Sequence, residues 1–317
     1  MDALLYWLAR SLLGFLQLWP LGWVARIGRG CGALAFWLDA RHRRVAIGNV
    51  TRCFGDRLEP KEVRALVREN FKRLGENYAS AVKTSAMTDA ELGAHLEWIG
   101  LERVSELSVG TRAPWVCQSG AGSCVVAIGH FGNFELYARP PAGIGKIRIA
   151  ATYRGLRQPG LDRLMQSLRN RAKCLFFERR RDAAALKRSM AGGGLCLGLL
   201  ADQHAGDNGL WLPFLGSDCS TSAAPALLAQ RYGCPLFTAV CYRVGSARWR
   251  VEMGPEIPTM TAEGKRREPA EIMREVNSAF EAAIARDPAN WFWVHKRWKP
   301  RSPRSLRKNA FSDALVS

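Results

Sequence analysis

The sequence is short of acid. Its 317 residues carry 28 Asp and Glu against 46 Lys and Arg, a formal charge of +18. That excess calls for an anionic partner: nucleic acid, an anionic membrane face or an acidic protein. Also missing is a hydrophobic run long enough to cross a bilayer. Within residues 3–38 the longest uncharged stretch, Ser11 to Ala25, is 15 residues between Arg10 and Arg26 and contains Pro20, where a spanning helix needs about 20. No basic start and small-residue cleavage site marks a signal peptide. The nine cysteines form no CxxC pair and no His/Cys cluster at zinc spacing, so the reading is a reducing compartment and no metal site. Gly192-Gly193-Gly194 is not followed by GK[ST] and is no phosphate cradle. Around Ser119, Ser123 and Cys124 there is no G-x-S-x-G elbow, which argues against a serine hydrolase.

What is present changes character along the chain. Residues 3–38 are rich in Leu, Trp, Phe and Gly. Trp7, Trp19, Trp23 and Trp37 with flanking arginines suit an interfacial helical anchor at 1–40. Arg41–Arg44 follows as a dense positive patch suited to anionic headgroups. Pro60 opens a helix to Lys83 with apolar residues at helical spacing. From about 97, short apolar runs alternate with helical stretches. Strands are expected at Trp115–Gln118, Val125–Ile128, Ile147–Thr152, Cys174–Phe177, Leu195–Ala201 and Pro235–Tyr242. Helices fit at 133–139, 159–172, 182–191, 221–232 and 267–286. Continuous apolar strands with intervening helices predict an α/β fold with a mostly parallel central sheet. The domain is expected to run from 41 to 308, with a disordered tail at 309–317.

The stretch that organises the chain is Cys124 to Tyr137. An apolar strand stops at Gly129, and His130, a Gly-Asn break and Glu135 follow. Five residues apart, the imidazole and the carboxylate meet only if His130 sits on the turn and Glu135 points back from a helix. Such a pair suits general base catalysis, the carboxylate fixing the tautomer. N–H groups at Gly132 and Asn133 could steady an oxyanion.

Gly-His130-Phe-Gly-Asn-Phe-Glu135 resembles the H(x)4(D/E) motif of the lipid A biosynthesis acyltransferases, within the wider glycerolipid acyltransferase superfamily. Arg41-His-Arg-Arg-Val-Ala-Ile-Gly-Asn49-Val, Asp202-Gln203, Pro213-Phe214-Leu215-Gly216 and Trp291-Phe-Trp-Val-His295-Lys-Arg297-Trp298-Lys resemble family segments in the same order. The likeness runs from about 35 to 302. It implies a membrane-associated O-acyltransferase at the cytoplasmic face of a bacterial inner membrane. His130 would be the base and Glu135 its partner. Acyl-ACP is the implied donor, acyl-CoA the alternative, a lipid A precursor the acceptor, and no cofactor is required. Another glycolipid or an aminolipid is the alternative acceptor.

The resemblance also bears on the remaining basic residues. Tyr153-Arg154 and Arg157 follow a strand and resemble a segment that contacts acceptor phosphate or donor, where a planar guanidinium binds bidentately. One of Arg180 and Arg181, at the next strand's end, is expected to be functional. Asp202 is implied as a structural or acceptor-orienting carboxylate, and Asp202-Gln203-His204 with Asp207 as a metal loop is disfavoured. Pro213–Gly216 is expected to shape an acyl groove. Arg243 is expected to face the cleft, and His295 and Arg297 to contact phosphate or serve structure. Glu76 and Asn77 resemble a family position and are given no chemistry. Residues 110–123 look like a small insertion. Residues 291–308 mix tryptophans with seven positive charges and no acid. That mixture also suits single-stranded nucleic acid, so a basic nucleic-acid-binding protein is the alternative of another class, though no nucleic acid is expected.

Overall fold

The computed structural model describes residues 2–109, 122–141, 147–156, 158–169 and 173–302. The expected strand Trp115–Gln118, most of the 110–123 insertion, Arg157 and the 309–317 tail lie outside the described residues. Four helices come first: α1 (Asp2–Leu18), α2 (Leu21–Leu38), α3 (Ala40–Phe54) and α4 (Pro60–Thr84). Then follow α5 (Asp89–Gly93), β1 (Leu96–Ile99), α6 (Glu102–Ser105), β2 (Cys124–Ile128) and β3 (Arg148–Tyr153). The second half holds α7 (Pro159–Arg169), β4 (Cys174–Glu178), α8 (Ala183–Ala191), β5 (Leu195–Leu200), β6 (Leu210–Phe214) and β7 (Ser217–Thr221). It ends with α9 (Ala224–Tyr232), β8 (Leu236–Gly245), β9 (Arg248–Met253) and α10 (Pro269–Arg286).

Seven strands form one sheet in the order β1-β9-β8-β2-β5-β3-β4. The five from β8 to β4 are mutually parallel, β9 is antiparallel to β8, and β1 runs with β9. The α/β expectation with a mostly parallel sheet is met. The period of two sorts the strands' side chains to opposite faces. Val125, Ala127, Leu195, Leu197 and Leu199 pack toward α9 and α10, whose Ala226, Ile272, Val276 and Phe280 are buried. Val126, Ile128, Cys196, Phe237 and Ala239 form the other face with Leu92, Val104 and Trp249. The cleft opens on that second face.

α2 is pressed against α4 backbone to backbone. A Cβ at Gly32 would lie 2.1 Å from Phe71 O, and one at Gly75 2.1 Å from Gly28 O. Only glycine permits that approach. It turns the Leu21, Val24, Ala25 and Phe36 side of α2 inward, all buried, and leaves Trp23, Ile27, Leu34 and Trp37 outside. On α1 the exposed stripe is Leu8, Leu12 and Phe15, continued by Trp19 at the junction with α2. Among the described residues no helix is long and apolar enough to cross a membrane.

Pro213–Gly216 is corrected by the structure. Leu215 (φ 48) and Gly216 (φ 76) make the tight turn of the β6–β7 hairpin. Phe214 is fully buried against Trp291 and Trp298 rather than facing the cleft. Left-handed backbone at both turn positions is what a type I′ two-residue hairpin requires.

Candidate active site

β2 and β5 end level, Ile128 opposite Leu200, and Ala201 N donates to Ile128 O at 2.9 Å. Two residues past these ends come His130 and Asp202, so both stand at the carboxyl ends of neighbouring parallel strands, where ligands gather in open α/β sheets. Asp202 Oδ1 lies 2.8 Å from His130 Nδ1. Its Oδ2 accepts from the His130 backbone N at 2.8 Å and from Trp291 Nε1 at 2.9 Å. Burial pushes this carboxyl up, but the His130 imidazole and its hydrogen bonds, with the Trp291 indole, outweigh it and hold it below the ordinary carboxylate range. An ionised carboxylate on Nδ1 fixes the proton there and leaves Nε2 unprotonated, as an acceptor.

The turn after His130 is strapped from behind. Gly132 (φ +52) donates to Asn290 O at 3.1 Å, and a Cβ there would lie 2.5 Å from Cys241 O. Phe131 bridges to Trp291. The chain then enters a 3₁₀ turn at Phe134–Ala138, shorter and tighter than the expected helix 133–139. That geometry corrects the His130–Glu135 pairing. Glu135 points to α7, where Arg169 grips it at 2.7 and 3.3 Å, while Asp202 holds the histidine. The Arg169 guanidinium stacks 5.5 Å from Tyr153 and 5.2 Å from Phe176.

These groups surround a cleft of about 780 Å³. His130, Gly132, Asn133, Glu135, Tyr153 and Arg154 all line it, as do Arg169 and Arg179. Its apolar part runs over Val126, Ile128, Cys196, Gly198 and Ala239, with Trp98 and Met253 beyond. Small residues at 196, 198 and 239 leave room that larger side chains would fill.

The other expected residues lie elsewhere. Arg180 and Arg181 are exposed outside the lining, Arg181 pairing with Asp182 at 3.3 Å; the arginine that lines the cleft is Arg179. Arg243 misses it because the fully buried Glu76 of α4 takes its Nε at 2.8 Å. Glu76 also accepts from Arg29 at 3.2 Å and Ala247 N at 3.0 Å, so it is the hub of an ion cluster. Arg297 is completely buried and donates to Gln203 O and Thr221 Oγ1, each at 2.8 Å. It is a clamp on the Asp202–Gln203 loop, not a phosphate contact. Trp291 and Trp293 of the same segment are buried as well. His295 lines the cleft, and its Nε2 accepts from His204 N at 3.1 Å. Burial first, with nearby cationic groups, lowers its pKa to about 4. Among the described residues no group of three or more His, Cys, Asp or Glu could hold a metal ion; Asp207 is taken up by Ser302 at 2.7 Å.

The model of the bacterial lipid A biosynthesis acyltransferases matches residues 1–300. The chain belongs to that family. It is 24% identical over 310 residues to the lipid A biosynthesis palmitoleoyltransferase of Escherichia coli (strain K12), covering 93% of this chain and 92% of that one. The lauroyltransferase of the same organism is 24% identical over 308 residues, with the same shares. The phosphatidylinositol mannoside acyltransferase of Mycolicibacterium smegmatis is 22% identical over 250 residues, 74% of this chain and 72% of that one. This lipid A acyltransferase family member is therefore an acyltransferase. Sequence reasoning missed Arg169, Arg179 and Trp291 as parts of its site. Asp202 did carry a signal: like His130, it comes two residues after the end of a buried strand.

Proposed function

We propose that the chain moves a fatty acyl group from a carrier thioester to a hydroxyl of a lipid A precursor, a secondary acylation in lipopolysaccharide biosynthesis. The observation that carries the reading is the His130 Nε2 lone pair, set by Asp202 on Nδ1, at the polar end of an apolar slot. Nε2 takes the acceptor hydroxyl's proton. The oxygen bonds to the thioester carbonyl, the C–S bond breaks, and the imidazolium returns the proton to the departing thiolate. Burying the reacting atoms strengthens this charge stabilisation. Glu135 and Arg169 form the opposite wall and contact the acceptor; Arg154 and Arg179 suit its phosphate.

Acyl-ACP is the donor in this reading, with acyl-CoA as the alternative thioester. An acidic carrier meets a matching surface at Arg154, Arg179, Arg180 and Arg181, all exposed beside the cleft. The membrane contact is interfacial: Trp7, Trp19, Trp23 and Trp37 are exposed on α1, α2 and their junction, with Arg26, Arg41 and Arg44 exposed nearby. On that reading the enzyme works at the cytoplasmic face of the inner membrane. A different glycolipid acceptor is the second reading, favoured by the relative named for phosphatidylinositol mannoside.

The test is acyl transfer in detergent micelles from lauroyl- or myristoyl-ACP to a tetra-acylated lipid A precursor, with a mannosylated phosphatidylinositol as the second acceptor. Acylation of the first supports the reading. Acylation of the second alone reassigns the acceptor, and donor retention with both contradicts it.

A further inference from the structure

A second side chain reaches His130. Gln203 Nε2 lies 3.3 Å from His130 Nε2. With Nδ1–H committed to Asp202, Nε2 is an acceptor, so the carboxamide N–H donates to it. That is the lone pair the acceptor hydroxyl must reach. The base is therefore capped at rest.

The cap sits on a fixed stem. Gln203 O accepts from Arg297 at 2.8 Å, His204 N donates to His295 Nε2 at 3.1 Å, and Asp202 is held by three donors. Among the described residues the Gln203 side chain itself makes one hydrogen bond, the one to His130. Phe134 and Phe292 stand 4.9 and 5.5 Å from the imidazole, and 14% of the His130 side chain is exposed. Water approaching Nε2 meets two rings and an amide. A backbone fixed at three residues, carrying a side chain held by a single hydrogen bond, is the construction of a gate.

The geometry points to Gln203 as the gate on the general base: its carboxamide holds Nε2 against water and yields to the acceptor hydroxyl, so the acyl group is transferred rather than hydrolysed. This rests on the transfer reading above. If water reached Nε2, His130 would take its proton and the oxygen would bond to the thioester carbonyl. The C–S bond would break and the thiolate would take the proton back, giving a carboxylic acid and a free thiol. The acceptor hydroxyl gives an ester and the same thiol. The outcome depends on which O–H displaces the amide. One neutral hydrogen bond from a flexible side chain is readily exchanged for one from an ordered hydroxyl.

The experiment measures free thiol and acylated lipid separately, with lauroyl-ACP as donor and the tetra-acylated precursor as acceptor. Wild type is compared with Gln203→Ala and Gln203→Glu, and folding is checked by thermal midpoint. Gln203→Ala is expected to raise the ratio of hydrolysis to transfer about fivefold, the factor one neutral hydrogen bond carries. Gln203→Glu keeps the length but cannot donate; its carboxylate pairs with the imidazolium, and total thiol release falls. Should Gln203→Ala fail to fold, Gln203→Asn, one methylene shorter, is expected to raise the same ratio by a smaller factor. A ratio unchanged in a folded Gln203→Ala or Gln203→Asn, beside a wild type that transfers, overturns the gate and leaves the transfer reading standing. A wild type that neither acylates lipid nor releases thiol contradicts the transfer reading and the gate with it.

Discussion

The two walls of the cleft each hold a carboxylate, and the two are used differently. On the sheet side Asp202 is buried, accepts three hydrogen bonds and faces the histidine. On the α7 side Glu135 is a quarter exposed and is tied to a cation, Arg169. A carboxylate on an imidazole sets a tautomer; one on a guanidinium makes a neutral, directional pair that can grip a polar ligand. Position in the fold, not distance along the chain, decides which acid reaches the histidine.

The largest effect is expected from Asp202→Asn. The amide cannot hold the proton on Nδ1, and kcat should fall roughly 10²–10⁴-fold with the fold intact. Equal kcat in Asp202→Asn and wild type would erase the distinction between the walls. Glu135→Gln should be milder: steady-state kinetics is expected to show the KM for the lipid acceptor raised roughly tenfold, the worth of one charge-assisted contact. A loss confined to kcat would move Glu135 back to the histidine. At the mouth, Arg180→Glu with Arg181→Glu, both exposed outside the lining, should raise the KM for acyl-ACP about tenfold at low salt and less at high salt, since exposed charges are screened. A pantetheine thioester measured beside it should be unaffected.

The smallest effect concerns His295, on the Asp202 side. Its folded pKa of about 4 lies below the ordinary value of 6.5, so the unfolded chain binds the extra proton. Stability from this group is full above pH 6.5 and is lost as pH falls toward 4. Thermal midpoints across that window should fall for wild type and fall less steeply for His295→Asn.

Much of this was legible in the chain. Buried strands with continuous apolar runs announced a parallel sheet, and β2, β3, β4, β5 and β8 fall within a residue or two of their expected positions, apart from a longer C-terminal end on β8. Strands β1 and β9 escaped notice because their burial alternates and their sequences carry charge, as in Arg248-Trp-Arg-Val-Glu-Met. The site was half legible. His130 is marked by its glycines, but its partner comes 72 residues later and is set by the β2–β5 register. The basic residues near 300 read as a binding surface because sequence does not reveal burial, and Arg297 lies wholly inside. Arg243 likewise reads as a cleft residue until Glu76 is seen to take it.

The central claim is that Asp202 and His130 act as one unit. The direct measurement is a double-mutant cycle on kcat for transfer, using His130→Ala, Asp202→Asn and the two combined. Groups that act together are not additive, so the double variant should be no slower than His130→Ala alone. If the two losses multiply instead, Asp202 contributes independently of the histidine, and the account is contradicted.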